Sequence, residues 1–121
     1  MARVLVVDDS PTDKEYLKQV LVRAGHQVIE AATGSDALAL AKSERPDCIV
    51  MDVVMPGING FQATRTLSRD PATARIPIIV VSSKSQETDR VWALRQGARE
   101  YIVKPVKDTE LIDKVRNVLA G

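Results

Sequence analysis

Three runs, residues 4–7, 48–51 and 78–81, are apolar throughout, and each precedes a stretch with helical spacing. Strands buried on both faces of a sheet read as such unbroken runs, and their alternation with helices marks a parallel α/β sheet. A shorter run at residues 101–103 adds a fourth strand. The weaker Gln27–Ala31 adds a fifth, in which Glu30 suggests a partly exposed, edge position.

The spacing predicts five helices between and after these runs. The first covers residues 11–24, with Leu17, Val20, Leu21 and Ala24 on one stripe, Ser10 as cap, Asp13 completing a capping box and Gly25 ending it. The second covers residues 35–43, with Ala37, Leu38 and Ala41 inward, and a third follows Gly60. The fourth covers residues 86–96 before Gly97. The fifth covers residues 108–119, with Leu111, Ile112, Val115, Val118 and Leu119 inward. Short connections and the absence of repeats leave one domain, residues 1–121, which is an ordinary domain size.

Charge narrows the function classes. Seventeen basic and sixteen acidic side chains leave a net charge of +1, too weak a field to draw the chain to nucleic acid or to a membrane surface. No apolar stretch nears the ~20 residues of a membrane span. The lone Cys48 lies inside an apolar run, so a buried thiol in a reducing cytoplasm is expected. A single histidine, His26, excludes a histidine metal cluster or a Ser–His or Cys–His pair within the chain, and it reads as a surface turn residue.

Each strand turns polar at its carboxyl end. Asp8 and Asp9 follow the first, Asp52 follows residues 48–51, Ser82 follows residues 78–81, and Lys104 follows residues 101–103. In an open parallel sheet those ends share one edge, where ligands bind at the point of strand-order reversal. Three adjacent carboxylates repel one another and call for a cation, and oxygen-only ligands suit Mg²⁺. With a lysine and a hydroxyl beside them, they form a site for a phosphoryl group that a carboxylate can attack. Singly, each aspartate would pass for a helix cap or a strand end.

These residues resemble the receiver domain of two-component response regulators. The likeness rests on Asp8, Asp9 and Ser10, on Asp52 through Gly57 with Gly60, on Val81, Ser82 and Ser83, and on Tyr101 through Pro105. Within that family the chain is similar to stand-alone regulators of the CheY and PilH kind, the pilus-associated PilH group more than the flagellar one. The resemblance implies a flavodoxin-like (βα)5 doubly wound sheet with strand order 2-1-3-4-5. It implies Asp52 as phosphoacceptor from a histidine kinase, and Mg²⁺ on Asp9, Asp52 and the Val54 carbonyl, with Asp8 acting through water. Lys104 and Ser82 would contact the phosphate, and Lys104-Pro105 would form a cis peptide. Met55, Pro56 and Gly57 would make a type II turn. The Tyr101 ring would rotate inward as Ser82 moves, altering the face of the fourth helix, fifth strand and fifth helix where an effector protein binds. Twitching motility or chemotaxis would be the process, and a cytoplasmic monomer the form.

Some positions depart from commoner receiver patterns. Ser82 stands where threonine is frequent, apolar Val54 stands where many relatives are polar, and Lys84 brings a positive charge to the pocket rim. Val54 and Lys84 flank the path of a hydrolytic water and are expected to tune phosphate lifetime. Trp92, the only tryptophan, projects to the proposed partner surface with Tyr101 if Val91 and Leu94 face the core. Other functions remain open: a phosphate sink draining a shared kinase, or an aspartyl-nucleophile phosphatase. The latter type carries an acid two residues after the nucleophile, where Val54 has none. A flavin or nucleotide binder would need a Gly- or Ser/Thr-rich loop after the first strand, where two aspartates stand.

Overall fold

The computed structural model describes residues 2–55 and 57–121. Five strands, β1 (Arg3–Val7), β2 (Gln27–Ala31), β3 (Cys48–Asp52), β4 (Ile78–Ser82) and β5 (Glu100–Val103), alternate with five helices. The helices are α1 (Pro11–Arg23), α2 (Gly34–Glu44), α3 (Gly60–Arg69), α4 (Glu87–Arg95) and α5 (Asp108–Ala120). All strand pairs are parallel and the sheet order is β2-β1-β3-β4-β5, so Glu30 lies on an edge strand as its charge suggested.

Strand alternation divides the interior into two cores. Leu5, Val7, Ile49, Met51, Ile78, Val80 and Tyr101 face α2, α3 and α4 through Ala37, Ala41, Ala63, Leu67 and Ala93. Val4, Val6, Cys48, Val50, Ile79, Val81 and Ile102 face α1 and α5 through Leu17, Val20, Leu21, Leu111, Val115 and Val118. Small residues line much of the α2–α4 side, which seats those helices close to the sheet. Truncating a large fully buried side chain such as Leu21 or Ile79 would cost about 2–5 kcal/mol.

Several sequence expectations shift. Ala24 is the exposed C-cap of α1 and not part of its stripe, because Gly25 takes a positive φ of 93° there. Leu119 is exposed near the end of α5. Val91 and Leu94 are also exposed: α4 turns Ala93 inward, flanked by half-buried Asp89 and Gln96, and it is the short methyl that meets the core. Asp89 spends its carboxylate on the Gln86 N–H at the helix start. The α1 capping box is half formed, since Ser10 Oγ accepts from the Asp13 N–H at 3.3 Å while the Asp13 carboxylate turns to Lys104. The expected type II turn includes Pro56 and lies outside the described residues, although Gly57 has a φ of 75°.

Gly60 ties the fold to the edge where the polar residues gather. Its N–H donates to the Val53 carbonyl at 2.9 Å, and a Cβ at this position would collide with the Asp52 carbonyl oxygen and with backbone atoms of Val53. Gly60→Ala is therefore expected to lower stability by about 1–3 kcal/mol. It should also shift the backbone amide resonances of Asp52 and Val53. Urea unfolding and a two-dimensional amide spectrum check both.

Candidate functional site: an acidic pocket at the sheet edge

The register assembles the site. Val7 sits opposite Met51, so Asp8 emerges beside Asp52; Asp52 sits opposite Val81, and Ser82 opposite Val103, so Lys104 emerges at the same edge. Alternation then sorts the side chains. Asp52 continues the parity of Cys48 and Val50, while Asp8 and Lys104, one residue past their strands, continue that of Val6 and Ile102. Ser82 continues the other parity, that of Ile78 and Val80, which Tyr101 shares. The charged groups thus collect on one side of the edge and Ser82 with Tyr101 on the other.

Lys104 is the hub. Its Nζ lies 3.0 Å from Asp13 Oδ2, 3.1 Å from Asp52 Oδ1 and 3.5 Å from Asp8 Oδ2. Its N–H donates to the Ser82 carbonyl at 2.8 Å, and the Lys104–Pro105 peptide is cis. Asp8 is fully buried; one oxygen accepts the Ser10 N–H at 2.9 Å, and Oδ2 makes no hydrogen bond. Asp9 is exposed, yet one carboxylate oxygen each from Asp8, Asp9 and Asp52 lie within 4.8 Å of one another. A buried carboxylate oxygen without a hydrogen bond, within an all-oxygen set, fits a hard divalent cation.

The same crowding perturbs the acids. Burial, and then repulsion from Asp8, push the Asp52 carboxyl up to about 6 despite the pull of Lys104. Burial also raises Asp8, against the Ser10 N–H and Lys104. Burial works against the Lys104 ammonium, but Asp13, Asp52 and Asp8 outweigh it and hold the lysine firmly charged.

On the opposite side, Lys84 joins the two remaining groups through its backbone. Its N–H donates to Ser82 Oγ at 3.1 Å, and its carbonyl accepts the Tyr101 hydroxyl at 2.8 Å. Tyr101 is only 9% exposed, so its ring is already inside and is not itself a surface for a partner. Trp92 is half-exposed, beside Val91 in a shallow cleft of about 300 Å³ that Glu87, Thr88 and Arg95 complete. Val54 is 65% exposed in the loop after Asp52, and among the described residues no backbone N–H donates to its carbonyl. The Lys84 side chain is exposed. His26 is half-buried and accepts the Ala2 N–H at Nδ1, so it closes the start of β1 and is more than a surface turn residue.

Sequence reasoning missed Asp13 as a member of this cluster. It stands one turn into a helix that starts at the same sheet edge, which was the available signal, but its place after Ser10 read as a cap.

A model of the response regulator receiver domain matches residues 4–116, and the chain belongs to that family. The chain is 54% identical over 121 residues to Protein PilH of Pseudomonas aeruginosa, covering 100% of both. Among solved structures, the chemotaxis response regulator CheY4 of Vibrio cholerae superposes with a TM-score of 0.91 at 31% identity, covering 98% of each chain. The receiver domain of the sensor histidine kinase PA1611 from Pseudomonas aeruginosa gives 0.91 at 29% identity, covering 99% of this chain and 98% of that one. That structure is described as having a magnesium ion coordinated in its active-site cleft. Receiver domains are signalling proteins and not conventional enzymes.

Without metal, the raised Asp52 pKa is a stability cost. The folded state disfavours the Asp52 anion, so the penalty is complete above about pH 6, fades as pH falls and is gone below the ordinary value near 3.8. Asp52→Asn should therefore stabilise the metal-free chain at pH 7, by at most about 2–3 kcal/mol. The gain should vanish near pH 4. Denaturation midpoints of both proteins across that range, in the presence of chelator, measure it.

Proposed function

We propose that the chain is a phosphorylation-switched signalling protein whose phosphoacceptor is Asp52. The observation that carries this reading is the placement of a buried carboxylate, Asp52, against a lysine and two further aspartates at the carboxyl edge of the sheet. In the transfer, an Asp52 oxygen attacks the phosphorus of a phosphohistidine on the kinase. The P–O bond forms as the P–N bond breaks, and the imidazole leaves with the bonding electron pair. Lys104 faces the oxygens that gain charge, and Ser82 offers its hydroxyl to one of them. Held by Asp9, Asp52, the Val54 carbonyl and Asp8, Mg²⁺ would supply the positive charge that lets an anion approach three carboxylates.

The acyl phosphate is then exposed to water on the Val54 side. Val54 has no group that could orient or deprotonate a water, so in this reading it prolongs the phosphate, with the Lys84 charge at the rim. Ser82 drawn to the phosphate pulls on Lys84, whose carbonyl holds Tyr101. With the ring already inside, the switch changes how firmly it is held there, and so the order of α4 and its Trp92 face toward an effector protein. Full-length identity of 54% to PilH supports a role in pilus-based motility, in the cytoplasm, over flagellar chemotaxis.

Two outcomes are expected. Acetyl phosphate with Mg²⁺ labels the wild type and leaves Asp52→Asn unlabelled; labelling without metal, or of the variant, overturns the assignment. Val54→Asn loses its phosphate faster than the wild type, and an unchanged or slower loss removes the shielding role. A pull-down with beryllofluoride-loaded protein that recovers a kinase and no effector would favour a phosphate sink.

A further inference from the structure

Asp13 lies outside the metal set and the phosphate contacts, yet it makes the shortest approach to Lys104 Nζ, 3.0 Å against 3.1 Å for Asp52. Its placement is fixed from both sides. Ser10 Oγ takes its backbone N–H at the start of α1, which leaves the carboxylate free. One turn on, the Tyr16 hydroxyl donates to the Val106 carbonyl at 2.8 Å and pins the segment after Lys104 against α1. The ammonium has three N–H donors, of which Asp13 and Asp52 each take one at hydrogen-bond distance.

We propose that Asp13 is a positioning residue for Lys104, which it holds in the unphosphorylated chain and holds more weakly when Asp52 is phosphorylated. This rests on Asp52 being the acceptor. A phosphoryl group on Asp52 brings new anionic oxygens that compete with Asp13 for the same ammonium, and any shift of the lysine toward them weakens its pair with Asp13. The pair thus stabilises the unphosphorylated form. Asp13 also places a further negative charge near the path of the incoming phosphoryl donor, which acts in the same direction. Its side chain is 48% exposed, so the pair is partly screened by solvent and the effect is a modest one, about two- to fivefold in rate.

The test compares initial labelling rates of the wild type, Asp13→Asn and Asp13→Glu with acetyl phosphate and Mg²⁺, with Asp52→Asn as control. Asp13→Asn should label about two- to fivefold faster than the wild type. Asp13→Glu, which keeps a carboxylate within reach of the lysine, should restore the slower rate. Structural damage at the start of α1 would slow labelling, so an acceleration that Glu reverses is the signature of the latch. An Asp13→Asn rate at or below the wild type overturns the proposal, as does an Asp13→Glu rate equal to that of Asp13→Asn. A wild type that takes no label removes the acceptor reading and this one with it, whereas a labelled wild type matched by Asp13→Asn removes the latch alone.

Discussion

One ammonium among several carboxylates sets the terms for the rest of the structure. Lys104 Nζ stands within 3.5 Å of oxygens from Asp8, Asp13 and Asp52, and Asp9 adds a fourth acid nearby. A single positive charge cannot balance that set, and burial strengthens the mismatch by removing water from Asp8 and Asp52. The result is an edge that is electrostatically unfinished as a protein alone. Such a site favours whatever brings positive charge, and it keeps Asp52 less acidic than an exposed aspartate.

The scaffold makes this arrangement tolerable. Asp8, Asp52 and Ser82 end or just follow parallel strands whose preceding residues are buried, so Asp8 and Asp52 cannot drift apart without disturbing two packed cores. Alternation along the strands does the sorting: charged groups collect on the α1–α5 side, and Ser82 with Tyr101 on the α2–α4 side. The Lys84 backbone then links Ser82 to the ring across two short hydrogen bonds. Helix α4 is the least committed of the helices, with Ala93 alone buried, and it carries the exposed Trp92. A fold that fixes its charges rigidly and leaves one helix lightly held is suited to turning a local charge change into a surface change.

Much of this was legible in the residues. The unbroken runs named the strands because strands covered on both faces need no polar side chain, and Glu30 marked the edge because a charge there can reach water. The convergence of Asp8, Asp9, Asp52, Ser82 and Lys104 followed from strand ends sharing an edge. What failed depended on competition among neighbours. Asp13 satisfied a local capping pattern, but a lysine ninety-one positions away outbid the backbone N–H for its carboxylate. Val91 and Leu94 had helical spacing, yet the helix sits on the smaller Ala93, because close approach to the sheet outweighed the area those larger side chains would bury. The direction of the Tyr101 ring depends on a hydrogen bond to the Lys84 carbonyl, which no pattern of residue types encodes.

If the edge is unfinished for want of positive charge, a divalent cation must bind the folded chain and stabilise it. The direct measurement is the urea midpoint at pH 7 as a function of Mg²⁺ concentration at constant ionic strength. A midpoint that rises logarithmically once Mg²⁺ exceeds its dissociation constant, as binding to the folded state alone requires, is the expected result. The rise should be lost in Asp9→Asn. A midpoint that stays flat for the wild type, or rises equally in the variant, would contradict the claim that these carboxylates form a cation site.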